Sequence, residues 1–216
     1  MSRFVDGWRA ALGVRGFRDQ LLVAVIGWLV LMILMRVFLE YVVTRGGILM
    51  DDPLLPLFAP IDLHWITYSL IYAGFLLGIV TLILRPYSLL VAVRGFVFLI
   101  LLRIVCLYLM PLNPPADNIP LVDPFLRLPG VRPTLSRDLF FSGHTATISL
   151  LAYAIPWRDL RIIMAFVVLV LSVFLFLQHV HYTIDLVAAP CFAYVAQGVA
   201  RRTTMREFPG QMDWYQ

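Results

Sequence analysis

A chain of 216 residues that is 61% hydrophobic and 14% charged, with a mean hydropathy of +0.88, cannot hide its apolar surface inside a soluble globule. Its 17 basic residues are all arginine against 13 acids, with no basic stripe among exposed aromatics, which argues against a nucleic-acid partner and suits flanks touching anionic lipid heads. Cys106 and Cys191 both fall in apolar runs, where they are expected to act as small buried hydrophobes, not as a disulfide or metal pair.

These bounds predict an all-α, polytopic membrane protein: one domain, a bundle of six transmembrane helices over residues 21–200. A cytoplasmic segment 1–20 precedes it and a cytoplasmic tail 201–216 follows. In segment 1–20, Phe4, Trp8 and Leu12 recur every four residues among arginines, the pattern of a short interfacial helix; a loosely ordered tail fits equally well. The first apolar run is too long for a signal-peptide core and is expected to remain as a span.

The six predicted spans are 21–39, 64–84, 89–110, 141–157, 160–177 and 184–200. Near the end of the first, Arg36 and Glu40 stand four apart, the spacing of a local ion pair. The third carries Arg94 and Arg103. Arg103 lies deep in an apolar stretch and should face the bundle, paired with an aspartate or balancing an anionic ligand. Between the third and fourth spans, the loop 111–140 holds Pro111, Pro114, Pro115, Pro120, Pro124, Pro129 and Pro133. That density forbids regular helix and favours a stiff surface loop, either a roof over the following motif or a passive connector.

Arginine placement sets the orientation. Arg3, Arg9, Arg15 and Arg18, then Arg85 and Arg94, then Arg158 and Arg161, then Arg201, Arg202 and Arg206 occupy alternate flanks, which are expected to be cytoplasmic. The loops with Asp51, Asp52, Asp62, Asp117 and Asp123 then face outward, although Arg127, Arg132 and Arg137 dilute the contrast. This makes the protein integral and multi-pass with cytoplasmic termini. A bacterial inner membrane is compatible with the composition.

Two polar strings interrupt the oily chain: Ser142-Gly143-His144-Thr145 and His181-Tyr182-Thr183-Ile184-Asp185, with 36 residues between the histidines. One crossing takes roughly 20 residues, so a helix down and a helix back return both histidines to the exoplasmic face. On a helix, His181 and Asp185 would share a face, the carboxylate fixing one imidazole nitrogen and leaving the other reactive; a satisfied structural pair has the same spacing. His144 follows an N-cap serine and a glycine at a helix start, where the dipole and backbone N–H groups attract a phosphoryl group. An imidazole there can pass a proton to a leaving oxygen or take one from a hydroxyl, although capping alone also places histidines at helix ends. Asp138 is near enough to meet a cationic headgroup, tune His144, or pair with Arg137. His179 is expected to project elsewhere on the surface, as an interfacial residue or in support of the site. Two imidazoles and a carboxylate could also hold a metal, but a Ser-Gly-His helix start beside an arginine-bearing span fits anion handling better.

Asp138-Leu-Phe-Phe-Ser-Gly-His-Thr145 followed by His179-Val-His-Tyr-Thr-Ile-Asp185 resembles the sphingomyelin synthase family, within the wider lipid phosphatase and phosphotransferase superfamily. More weakly, residues 94–115 are similar to that family's arginine-bearing third span. The resemblance implies a catalytic triad at His144, His181 and Asp185, with Asp138, Ser142, Gly143, Arg94, Arg103, His179 and Tyr182 on the substrate side. It implies a phospholipid donor, ceramide or another lipid alcohol as acceptor, and neither metal nor soluble cofactor; self-association is left open. Asp138, four residues before the serine, tilts the expectation slightly toward phosphoethanolamine over phosphocholine. Lipid phosphate phosphatases carry further basic residues that this chain lacks: Phe125 stands upstream of Arg132-Pro133 and Leu175 before the second histidine. Monoester hydrolysis is therefore less favoured. Phospholipase C-like hydrolysis at the same site and a non-catalytic scramblase or scaffold are the alternatives.

Overall fold

Residues 2–121 and 137–210 are described by a computed structural model, in which seven helices and no strand make up the described chain. They are α1 (Ser2–Gly13), α2 (Phe17–Thr44), α3 (His64–Ile83), α4 (Pro86–Leu109), α5 (Gly143–Ala154), α6 (Arg158–Leu177) and α7 (Thr183–Glu207). Of these, α2, α3, α4, α6 and α7 are long and apolar enough to cross a membrane.

The fourth expected span, 141–157, is corrected by α5, which covers only twelve of its residues. Ser142 caps its start and Pro156 ends it by holding Ile155 extended, at φ −68° and ψ 127°. Twelve residues rise only about 18 Å, short of a hydrocarbon layer of about 30 Å. Such a helix is tolerated because protein, not lipid, surrounds it: α3, α4, α6 and α7 all pack on α5, and Ile148, Leu150 and Ala154 are wholly buried. Its last turn is satisfied from outside, Ile155 O accepting from Arg161 Nε and Nη2 at 3.2 and 2.9 Å.

Small side chains allow the close packing. Ala189, Ala193, Ala196 and Ala200 form a fully buried stripe on α7, and between apolar helices in lipid such stripes let backbones approach and gain dispersion contact. By contrast α2 and α6 expose most of their apolar surface, as outer helices in lipid do. Cys106 is only half-buried and Cys191 is exposed on this outer surface, so the expectation of buried cysteines is corrected. The Arg36–Glu40 pair forms at 3.5 Å, both residues exposed.

The segment 1–20 contains a helix: α1 docks where α3 ends, Trp8 Nε1 donating to Ile83 O at 2.9 Å, with Ala11 packed among Phe17, Tyr87 and Phe208. At the same end Arg94 ties three helices together. Its Nη1 donates to Thr204 Oγ1 at 3.0 Å, and its Nη2 to Gln20 Oε1 at 2.7 Å and Glu207 Oε2 at 2.6 Å. α7 runs past residue 200 to Glu207, arginine being a good helix former whose stem lies along apolar surface.

The opposite end gathers the C-termini of α2, α4 and α6 with the N-termini of α3, α5 and α7. Two connecting segments meet there, Ile48 N donating to Pro111 O at 3.0 Å and Asn113 N to Ile48 O at 2.9 Å. The described parts of the proline-rich loop run close over this end, Ile119 N donating to Gln178 O at 3.0 Å. Pro124, Pro129, Pro133, Phe125, Arg127, Arg132 and Asp123 lie outside the described residues.

Candidate active site

The second motif is set by how α6 stops. His179 N donates to Phe176 O at 2.9 Å and Val180 N to Leu175 O at 3.1 Å, the paired bonds that close a helix around one left-handed residue. That residue is His179, at φ 54°. It is buried, and its Nε2 has no hydrogen-bond partner among the described residues. The expected projection onto the surface is therefore corrected: the helix-ending turn points the chain, and this ring, inward.

The reversal leaves His181 two residues ahead of α7, so its contact with Asp185 is not the helix-face pairing expected from the spacing. Tyr182 is the N-cap, and Asp185, third in α7, folds back over the helix start. Its Oδ2 accepts from Tyr182 N at 3.2 Å and faces His181 Nδ1 at 3.4 Å. An ionised carboxylate can only accept, so Nδ1 carries the proton and Nε2 holds the reactive lone pair. Both side chains are almost wholly buried, 4% and 0% exposed, which strengthens their electrostatic coupling.

The first motif meets the second through the backbone. Ser142 Oγ caps α5 by accepting from Thr145 N at 3.4 Å, as the sequence predicts, while Ser142 N donates to Asp185 O at 3.2 Å. The turn that carries His144 is thereby fastened to the turn that carries His181. His144 is half-buried in the first turn of α5, its ring edge-on to Tyr68 with centroids 6.4 Å apart.

Arg103 completes the cluster from α4. Its Nη2 donates to Asp138 Oδ1 at 2.5 Å, its Nη1 donates to Phe141 O, and its guanidinium lies over the Phe141 ring at 5.6 Å. Asp138 thus pairs with Arg103; Arg137 instead donates to Val43 O and Arg45 O. Gly143 lets that guanidinium sit close: a Cβ there would stand 2.9 Å from Arg103 Cζ and 3.0 Å from each Nη, so a larger residue would make the guanidinium shift. One end of the bundle therefore assembles two imidazoles, a buried carboxylate, a buried guanidinium and the positive start of a helix, a set suited to holding and transferring a phosphoryl group.

Two expected substrate residues stand elsewhere. Arg94 is held toward the opposite end of the bundle; it lies nine residues before Arg103, about 13.5 Å along α4, and its two terminal nitrogens bond Thr204, Gln20 and Glu207. Tyr182 is adjacent to the site but its hydroxyl points into the loop packing, donating to Asn113 O at 2.9 Å and accepting from Met50 N at 3.3 Å.

Sequence reasoning missed Asp52. From the loop between α2 and α3 it caps α7, its carboxylate accepting from Thr183 N at 2.6 Å, Thr183 Oγ1 at 3.0 Å, Leu54 N at 2.9 Å and Leu55 N at 3.3 Å. Burial alone would raise its pKa, but the donors from Thr183, Leu54 and Leu55 together outweigh it and hold the carboxyl below the ordinary value. A cap supplied from 131 residues away leaves no local signal in sequence. No protein-family model matches the chain, and no curated protein or solved structure matches it either.

Proposed function

We propose that this protein is a lipid phosphotransferase, moving a phospho-headgroup from a glycerophospholipid to ceramide or another lipid alcohol through a phosphohistidine. The observation that carries the reading is the Ser142 N to Asp185 O bond, which locks the His181–Asp185 pair to the helix start bearing His144, with Arg103 across Gly143. In this scheme His181 Nε2 attacks phosphorus and the bond to the diacylglycerol oxygen breaks, that oxygen taking a proton from His144. The acceptor hydroxyl then gives its proton to His144 and attacks the phosphohistidine, releasing His181. Asp185 stabilises the charged ring during both steps, and Arg103 with the start of α5 balances the phosphate oxygens.

The resemblance of the two histidine motifs to the sphingomyelin synthase family supports phosphoethanolamine or phosphocholine as the group moved. Leu175, wholly buried in the core, supports a diester donor over a monoester, since a phosphate dianion would want a cation there. On the arginine distribution, the site faces the exoplasmic side of an integral membrane protein.

The decisive experiment gives the purified chain, in phospholipid nanodiscs, headgroup-labelled phosphatidylethanolamine or phosphatidylcholine with and without ceramide. Label passing to ceramide is expected, with His181→Ala lowering it more than a thousandfold. Label released only to water would replace transfer by hydrolysis. Activity unaffected by His181→Ala would overturn the catalytic reading.

A further inference from the structure

The other end of α5 opens on a cavity of about 380 Å³ between α5, α6 and α7. Three arginines line it, Arg161, Arg201 and Arg202, together with Tyr153, Tyr194 and Gln197. No carboxylate stands among the described residues of its wall. Arg201 follows Asp185 by 16 residues on one continuous helix, about 24 Å of rise, so this hollow faces away from the histidines. The two tyrosine rings meet edge to face at 5.6 Å and form an amphipathic rim, apolar in body and polar at the tip.

Arginines at helix ends have a plain role as interfacial anchors, and that role explains their charge but not the hollow they line. Gln197 is 5% exposed, and neither its Nε2 nor its Oε1 has a hydrogen-bond partner among the described residues. That amide lies behind the wall, Oε1 packed on Gly95 of α4, where a Cβ would stand 2.5 Å away, so the groups that face the hollow are the arginines and the tyrosine rim.

We propose that this cavity binds a phosphate-bearing anion, with the headgroup of an anionic phospholipid in the leaflet opposite the histidines as one source and free phosphate as the other. The arginines neutralise the phosphate, and for a lipid the acyl chains run along the exposed apolar surface of α6. This site is separate from the phosphotransfer reading and stands or falls without it.

The test titrates the full chain in a neutral detergent with dioctanoyl phosphatidylglycerol, dioctanoyl phosphatidylcholine and inorganic phosphate, following bound adducts by native mass spectrometry. Phosphatidylglycerol is expected to bind at least tenfold tighter than phosphatidylcholine. Arg202→Gln should weaken it fivefold or more, Arg202 being exposed and its replacement harmless to folding. Millimolar phosphate displacing the lipid would make the soluble anion the source, and failure to displace it would make the lipid the source; either supports the site. Equal binding of the two lipids, unchanged binding in Arg202→Gln, or loss of binding in Arg103→Gln instead, would overturn it.

Discussion

Asp185 does two jobs with one carboxylate: it caps the backbone of α7 at Tyr182 N and orients His181. Asp185→Asn should therefore keep the fold while reversing the preferred tautomer of the ring, and lower transfer by about a thousandfold or more, read in single-turnover assays beside an unchanged helical circular dichroism spectrum. His179 offers a contrasting test. Its left-handed backbone, not its ring chemistry, ends α6, so His179→Gly should retain most activity whereas His179→Val should lose stability and activity together. Asp52 gives a pH signature. Its folded pKa lies below the unfolded value of about 3.9, so its stabilisation is full above that value and fades as pH falls through the folded one. Asp52→Asn should then melt lower than the parent at pH 6, and the two melting curves should converge as the pH falls below the folded value. The residues of the site were legible because polar groups in an oily chain are few. Their partners were not: Asp138 had Arg137 beside it in sequence and Arg103 beside it in space.

At the scale of elements, the five long helices follow their apolar runs, while α5 shows where hydropathy stops being a guide. Its 17-residue run looked like a short span because hydropathy records how apolar a segment is, not whether lipid or protein surrounds it. Ser142 reads as a start signal in the sequence, whereas Pro156, inside the expected span, is the stop that hydropathy passes over, and twelve residues lie between the caps they set. The start of this helix is also where a small change should matter most. Ser142→Ala removes one cap and should cost about 1 kcal/mol, seen as a lower melting temperature. Gly143→Ala drives a methyl into the Arg103 guanidinium and should reduce transfer by tenfold or more, beyond what its change in melting temperature accounts for.

For the whole molecule, Arg94 separates the frame from the chemistry. From sequence it stood with Arg103 as a phosphate ligand, since both share one helix and nothing in the spacing says which end each serves. In the fold it joins α2, α4 and α7 far from the histidines. Arg94→Gln should consequently lower the thermal midpoint by several degrees and leave the proposed transfer per folded protein within twofold of the parent, measured on the same preparation. The shortness of α5 reaches further than either end of it. A central rod half the length of α4 leaves the histidine cluster at one of its ends and the arginine-lined hollow at the other, about 18 Å apart along its axis. Single negative charges seated in both would repel by about 1 kcal/mol at an effective dielectric constant of 20, roughly a fivefold loosening of each by the other. Crowding by anions on one side of the bilayer would then hasten departures on the far side.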